Sequence, residues 1–348
     1  MFTKNLIKTN NPFKMKKLSI ILIVVLVFAL NSNGQDSKND FYGMWTLKTE
    51  DGGVGWLNVN ENDGFLDADL LWRGGSVSPV SNVYFVNENN LVVTRTQEIV
   101  KNSDGDNVRN HVLTQTYKFK KNGDKLEGIL IQPARDGMSV KKSEFIGWKL
   151  PDVPSAPDLS KVKYDKPIQL FNGKDLTGWK LLNPSQTNGF KVIDGVLTND
   201  PVQIEGKRVH YGNLRTEQEF EDFNLKLEVN VPEHNNSGVY LRGMYEIQVL
   251  DSYGKELDSH NMGALYSRIV PSLAAEKPAG EWQTMDITLC ERHLTVILNG
   301  KTIIDNKPVY GPTGGAIIAD VFKPGPIYLQ GDHGKVSYRK MVLTPIIK

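Results

Sequence analysis

The sequence predicts an all-β protein in two units, a small β-barrel or β-sandwich followed by a two-sheet jelly roll. Three observations carry that expectation. Glycine and proline supply 31 and 17 of the 348 residues, which suits a turn-rich β protein better than a helical bundle. Short alternating or β-branched segments recur between Gly, Asn and Asp turn signals, and no stretch repeats its apolar positions at the helical period. A proline-rich linker over residues 151–165, opening Pro151-Asp152-Val153-Pro154-Ser155-Ala156-Pro157, divides this pattern into two parts.

Taken in chain order, the first element is an export signal. Met15-Lys16-Lys17 precedes the apolar run Leu18–Leu30, the basic-then-apolar order of a secretory signal peptide. The run falls short of the roughly 20 residues that span a bilayer, so an uncleaved anchor is the weaker alternative. Cleavage is expected after Gly34, with no cysteine there to carry a lipid, and residues 1–14 read as an upstream extension of the start. The cut removes five lysines and no acid from 41 basic and 40 acidic residues. The mature chain is then mildly acidic, expected in the periplasm or outside the cell, with no transmembrane segment. Such a balance offers no basic field for nucleic acid. Cys290 is the only cysteine, which excludes an intramolecular disulfide and any multi-cysteine zinc site.

Residues 36–150 form the first unit. Strands are expected at Phe41–Lys48, Val54–Val59, Leu66–Trp72, Val83–Val86, Leu91–Val100, His111–Phe119, Lys125–Ile131 and Phe145–Leu150. Turn signals such as Asn62-Asp63-Gly64, Ser103-Asp104-Gly105 and Asn122-Gly123-Asp124 fall between them. Trp45, Trp56, Trp72 and Trp148 could stack on sugar rings, but core packing is the better expectation in a small β unit. Residues 166–348 form the second unit, with strands at Phe223–Val229, Gly238–Leu250, Trp282–Cys290, Leu294–Leu298 and Ile327–Leu329. Asn299-Gly300 between two apolar runs is the strongest hairpin signal. His293 is expected at the surface and Cys290 in the core.

The second unit also carries an ordered set of motifs. Leu170-Phe171-Asn172-Gly173-Lys174-Asp175-Leu176-Thr177-Gly178-Trp179 opens it, followed by Asn236-Ser237-Gly238-Val239-Tyr240-Leu241-Arg242-Gly243 and Tyr245-Glu246-Ile247-Gln248-Val249-Leu250-Asp251. Gly263-Ala264-Leu265-Tyr266, Gly280-Glu281-Trp282-Gln283-Thr284, Leu298-Asn299-Gly300 and Gly325-Pro326-Ile327-Tyr328-Leu329-Gln330 come later. Over about residues 166–347 the chain resembles the 3-keto-disaccharide hydrolase family. One departure is visible: where the family commonly reads Leu-Gln-Asp-His-Gly, this chain has Gln330-Gly331-Asp332-His333-Gly334, with a glycine inserted. The resemblance implies a concanavalin-like jelly roll that acts on glycosides oxidised to a ketone at C3.

Alternation along Val239–Leu250 sends Val239, Leu241, Ile247 and Val249 to the core and sets Tyr240, Arg242, Glu246 and Gln248 on one exposed polar face. The plainer reading of that row is a solvated strand face. A 3-keto sugar has an acidic proton at C2, so its cleavage needs a base there, a donor for the enolate oxygen and an acid for the leaving oxygen. Glu246 and His333 are the catalytic candidates. Arg242 or a metal would stabilise the enolate, and Tyr240, Gln248, Tyr266, Gln330 and Asp332 complete the substrate-binding set. A divalent ion is the candidate cofactor, with His260 as its speculative ligand, although no histidine pair has local metal-binding spacing. No dinucleotide fingerprint or phosphate loop is present, so a nucleotide cofactor is not expected, and a separate oxidoreductase would supply the ketone.

Two other readings compete. In a laminarinase-type retaining glycosidase the segment would read Glu-x-Asp-x-x-Glu, but here it is Glu246-Ile247-Gln248-Val249-Leu250-Asp251. Retaining hydrolysis needs two carboxylates about 5–5.5 Å apart, and Gln248 stands where that motif has its central acid. The other reading is a non-catalytic glycan binder built on the polar row and on Tyr240, Tyr245, Tyr266 and Trp282.

Overall fold

The computed structural model describes residues 40–102 and 109–347. The export segment and the Ser103-Asp104-Gly105 turn lie outside them. All regular structure among the described residues is β.

Nine strands form the first sheet: β1 (Gly43–Thr49), β2 (Val54–Asn62), β3 (Phe65–Trp72), β4 (Ser78–Pro79), β5 (Asn82–Asn87), β6 (Asn90–Asn102), β7 (Arg109–Asn122), β8 (Lys125–Pro133) and β9 (Val140–Lys149). Chain neighbours pair throughout except β4 and β5, and β1 pairs with β9, so the antiparallel ladder runs β4-β3-β2-β1-β9-β8-β7-β6-β5. This is an up-and-down sheet turned around its own core, with a break only between β4 and β5. Asp63-Gly64 supplies left-handed backbone at the β2–β3 hairpin, with φ of 52° and 81°, as its turn signal requires. Inside lie Trp45, Leu47, Leu57, Leu70, Tyr117, Phe119 and Phe145. Trp72 meets Tyr117 and Phe145 edge to face. Trp45 and Trp72 therefore serve packing, as expected.

The second unit contains β10 (Lys163–Tyr164), β11 (Ile168–Gln169), β12 (Trp179–Leu181), β13 (Phe190–Ile193), β14 (Val196–Asn199), β15 (Leu214–Thr216), β16 (Phe223–Asn230), β17 (Asn236–Leu241), β18 (Tyr245–Leu250), β19 (Trp282–Cys290), β20 (His293–Leu298), β21 (Lys301–Pro308), β22 (Tyr328–Leu329) and β23 (Val336–Ile347). One sheet runs β13-β14-β23-β16-β19-β20-β21, with β10 and β11 also on β23; the other runs β12-β15-β22-β17-β18. Inward residues of both, including Leu225, Val239, Ile247, Ile287, Leu329 and Leu343, share one core. This two-sheet sandwich is the predicted jelly roll.

Two expectations are corrected here. Gly238–Leu250 is not one strand but the hairpin β17–β18, in which Tyr240 pairs with Glu246 and Gly238 with Gln248. Arg242 and Gly243, with φ of 55° and 65°, make its turn. His293 is 4% exposed because Glu291 and Arg292 take the left-handed backbone of the preceding turn, which starts β20 at His293 and turns its ring inward.

The two units share a packed seam. Trp56, Leu71 and Leu150 join the jelly-roll core, and the Arg268 guanidinium stacks 4.3 Å from the Trp56 ring. Thr46 Oγ1 donates to the Ala319 carbonyl at 3.1 Å, and Gly315 N–H to the Arg73 carbonyl at 2.8 Å. The linker is fastened too, since Arg292 Nη1 donates to the Pro151 carbonyl at 2.9 Å. At the tightest point a Cβ on Gly314 would lie 2.1 Å from the Gly75 carbonyl oxygen. Gly314→Ala is therefore expected to lose about 1–3 kcal/mol of stability, the usual cost of overpacking. Hydrogen exchange should then rise at Arg73–Ser76; an unchanged unfolding temperature and exchange pattern would contradict this seam.

Candidate active site

On the five-stranded sheet, the residues that alternate with the core positions form two rows across β22, β17 and β18. Val239 pairs with Leu329 and Tyr240 with Tyr328, so the first row reads Tyr328–Tyr240–Glu246. The second reads Gln330–Gly238–Gln248, with Gln330 N–H donating to the Gly238 carbonyl at 3.0 Å. The alternation thus puts Tyr240, Glu246 and Gln248 on one face, as the sequence implied, but that face is not solvated. Tyr240, Glu246 and Gln248 are 1%, 3% and 4% exposed, because other segments roof them. Thr313 Oγ1 accepts from Glu246 N–H at 2.9 Å and donates to the Met244 carbonyl at 3.1 Å, pinning the Thr313–Gly315 loop over the hairpin. Along the outer edge of β18, Gln248 N–H donates to the Ala264 carbonyl and Tyr266 N–H to the Glu246 carbonyl.

Between roof and sheet is a cavity of about 310 Å³, at the lower end of the size range of small-molecule sites. Six predicted residues line it: Glu246, Tyr240, Gln248, Tyr266, Gln330 and Asp332, and His333 makes a seventh. Two predicted residues do not. Arg242 is carried away by the turn, where its guanidinium donates to the Lys323 carbonyl at 2.8 Å and the Val321 carbonyl at 2.5 Å, so it cannot serve an enolate. His260 stands behind Tyr266, its Nε2 2.9 Å from Ser76 Oγ. Among the binder aromatics, Tyr245 faces the core and Trp282 lies under Arg339 on the other sheet.

The carboxyl of Glu246 decides the chemistry. It folds back over Gly238, where a Cβ would come within 2.3 Å of Oε1; only glycine leaves that space. Burial pushes its pKa up to about 7, against the lowering effects of the Tyr240 hydrogen bond and of His333. Tyr240 Oη lies 2.7 Å from both Glu246 Oε2 and the Gly314 carbonyl, and Gln330 Nε2 donates to it at 3.2 Å. One phenol proton cannot serve both acceptors. A protonated Glu246 donates to Tyr240 while Tyr240 donates to Gly314; an ionised Glu246 instead accepts the Tyr240 hydrogen bond. The pocket so accommodates both states of the carboxyl. Tyr240 itself stays a phenol, since burial and then the Glu246 charge hold its pKa well above the usual value. Tyr328 stacks on it at 3.8 Å and donates to the Gly315 carbonyl.

At the mouth, His333 Nδ1 and Asp332 Oδ1 are 2.8 Å apart and both side chains are half-exposed. The Asp332 hydrogen bond raises the His333 pKa. Burial opposes ionisation of Asp332, but His333 outweighs it and holds that carboxyl below its usual range. The inserted Gly331 does not displace the pair from the cavity. It is absorbed as a close contact, with its N–H donating to Asn213 Oδ1 at 2.9 Å and a Cβ there only 2.1 Å from the Gly212 carbonyl.

Other lining residues were not anticipated: Asn213, Asn236, Tyr328, Gly314 and Gly315, and Gly74 and Gly75 of the first sheet. The Gly-Gly pairs carry no side-chain chemistry to read, though Tyr328 follows from the alternation that identified Gln330. Among the described residues no group of three or more His, Cys, Asp or Glu side chains could hold an ion, and His260 packs against Ser76 and Tyr266 outside the cavity lining. The Glu246–Asp251 pair of the laminarinase-type alternative does not come together in the cavity. Asp251 lies past the end of β18, outside the cavity lining, and accepts from the His234 N–H at 3.0 Å.

The profile of a family described as the 3-keto-alpha-glucoside-1,2-lyase-like domain matches residues 166–344. A candidate glycosyl hydrolase from Parabacteroides distasonis is 30% identical, with 51% of this chain and 82% of that one covered and a TM-score of 0.42. Another from the same organism is 26% identical, over 51% and 98% of the two chains, with a TM-score of 0.39. A carbohydrate-binding module from Bacillus subtilis is 9% identical, over 47% and 93%, with a TM-score of 0.30. No curated protein matches the chain.

The raised Glu246 pKa has a consequence for stability. A folded-state pKa of about 7 against an ordinary 4.5 means that the folded chain binds more protons than the unfolded chain between those values. Stability attributable to this group therefore falls as pH rises from 4.5 to 7 and stays low above it. Glu246→Gln removes this dependence. The variant should be more stable than the parent by up to about 3 kcal/mol above pH 7, with the difference vanishing below pH 4.5. Denaturant titrations across that range check it; a difference that grows toward acid pH would show that the carboxyl is not destabilised by burial.

Proposed function

Because the chain belongs to the 3-keto-alpha-glucoside-1,2-lyase-like family, and is thereby a glycan-active enzyme of glycosyl-hydrolase type, we propose that it cleaves 3-keto-glycosides by removing the C2 proton. The observation that carries this reading is the buried Glu246 carboxyl with its pKa near 7. A general base is most effective when its pKa lies near the working pH, and this one faces a cavity beside groups that tolerate both of its protonation states.

The steps then follow from carbonyl chemistry. Ionised Glu246 takes the proton from C2, and the C2–H electron pair moves to form an enolate with its charge on the C3 oxygen. Amide N–H groups of Gln248 and Gln330 are the donors available to that oxygen, replacing the role expected of Arg242, since the Tyr240 proton is held by Glu246 or by the Gly314 carbonyl. The enolate re-forms the ketone as the C1–O bond breaks, leaving a C1–C2 double bond. His333, its imidazolium favoured by Asp332, gives a proton to the departing oxygen. Water adding across the double bond would make the net reaction a hydrolysis. The C3 ketone comes from a separate oxidoreductase, consistent with the absence of a dinucleotide fingerprint, and the export signal would place the reaction in the periplasm or outside the cell.

The test compares matched native and 3-keto α-glucosides. The native sugar lacks an acidic C2 proton and should be nearly inert, while the 3-keto substrate should be turned over with C2 deuterium passing to solvent. The rate should rise with pH through an apparent pKa near 7. Glu246→Gln should lower kcat by about 10²–10⁴, the usual contribution of a general base. Equal cleavage of both substrates with C2 deuterium retained would replace elimination by direct displacement. Binding without any product would leave a glycan-binding protein.

A further inference from the structure

The matched family segment begins at residue 166, yet the cavity is not closed by that segment alone. Gly74 and Gly75, in the turn that leaves β3, line it together with Glu246, Tyr266 and the 314–315 loop. The turn is built for a fixed position. Arg73 and Gly75 both have left-handed backbone, with φ of 66° and 76°. Gly314 packs against Gly75 so closely that no side chain fits between them. The Arg73 carbonyl accepts the Gly315 N–H at 2.8 Å, and Val77 N–H donates to Ser267 Oγ at 2.8 Å. These bonds tie the turn to two separate roof segments of the second unit.

Ser76 extends the contact to a lining side chain. Its Oγ is 2.9 Å from His260 Nε2 and 3.4 Å from Tyr266 Oη. The His260 ring meets the Tyr266 ring edge-on at 4.9 Å, and Asp258 Oδ1 lies 3.5 Å from His260 Nδ1. Tyr266 is thus braced from behind by a histidine that is itself held from the first sheet. A side chain fixed by its neighbours in this way presents its hydroxyl in one place, as a preorganised site requires.

We propose that the Gly74–Gly75–Ser76 turn is a specificity-determining wall of the glycan pocket, contributed by the first sheet, that limits the pocket to one sugar ring and orients Tyr266 through the Ser76–His260 hydrogen bond. This rests on the glycan-directed reading of the same cavity. The first unit thereby takes part in substrate recognition. The catalytic face belongs to the jelly roll, and the size of the group attached to the bound ring is read by the other unit. Ser76 and His260 act as positioning residues, and Gly74 as the boundary.

Gly74 offers a direct test. Its φ is not left-handed and a Cβ there meets nothing within 4 Å, so a large side chain can be placed at the wall without entering a packed region. The intact chain, Gly74→Phe, Ser76→Ala and Ser76→Thr are compared on methyl 3-keto-α-glucoside and on a 3-keto glucose disaccharide. Gly74→Phe is expected to raise the ratio of disaccharide KM to methyl-glucoside KM at least tenfold. Ser76→Ala should raise KM for both substrates at least fivefold, with a smaller effect on kcat, and Ser76→Thr should recover most of that loss. An unchanged KM ratio in Gly74→Phe together with an unchanged KM in Ser76→Ala overturns the proposal. Should the unaltered protein turn over neither substrate, the enzymatic reading fails. Calorimetry with methyl α-glucoside and the unoxidised disaccharide then decides the wall separately: a tenfold shift in the Kd ratio for Gly74→Phe supports it, and no shift, or no binding by the unaltered protein, overturns it.

Discussion

The desolvated carboxyl of Glu246 constrains more of this structure than any other group. A carboxyl at 3% exposure needs hydrogen-bonding partners for either charge state, and a floor with no side chain beneath it. Gly238 provides the floor, opposite Gln248 on the neighbouring strand. Tyr240 provides the partner, and it can do so only because the β17–β18 register pairs it with Glu246. Tyr328 and Gln330 in turn fix Tyr240 from the adjacent strand. A one-residue slip in that hairpin would send the whole set into the core and bring Val239 and Ile247 to the pocket. The hydrophobic alternation that builds the sandwich is therefore also what assembles the site.

Burial also requires a roof, and here the second unit depends on the first. The 313–315 loop is held from below by Thr313 on the β17–β18 hairpin and from above by the turn after β3. The seam that brings the two together is apolar at Trp56, Leu71 and Leu150 and polar around Arg73 and Ser76. It converts an exposed row of polar residues into a small cavity, and with that change comes the shift in the Glu246 pKa. In open solvent the same carboxylate would keep an ordinary pKa and be a weaker base.

Much of this could be read from the chain. Period-two alternation identified eight of the nine first-sheet strands, missing the two-residue β4 and starting β9 five residues late, and the Asp63-Gly64 and Asn299-Gly300 turns gave left-handed backbone where those residues favour it. The same alternation put Tyr240, Glu246 and Gln248 on one face. It erred at Arg242 because the irregularity at Gly243-Met244 is a chain reversal, and a turn residue does not obey strand parity. His293 is expected at the surface for its place next to a tight hairpin, but the two-residue turn of Glu291 and Arg292 makes it the first residue of β20 and buries it.

The sequence by itself determined the all-β class, the two-sheet sandwich and the common face of Tyr240, Glu246 and Gln248, because each follows from local alternation and turn chemistry. The tertiary structure alone decided that the Glu246 carboxyl is buried, that Arg242 is spent on the Val321 and Lys323 carbonyls, and that Gly74 and Gly75 reach a cavity about 170 residues farther along the chain. The burial of Glu246 and the approach of Gly74 and Gly75 depend on which surfaces meet across the seam. Glycine turns and backbone carbonyls make those contacts, and they leave no pattern in the order of side chains from which the meeting could be foreseen.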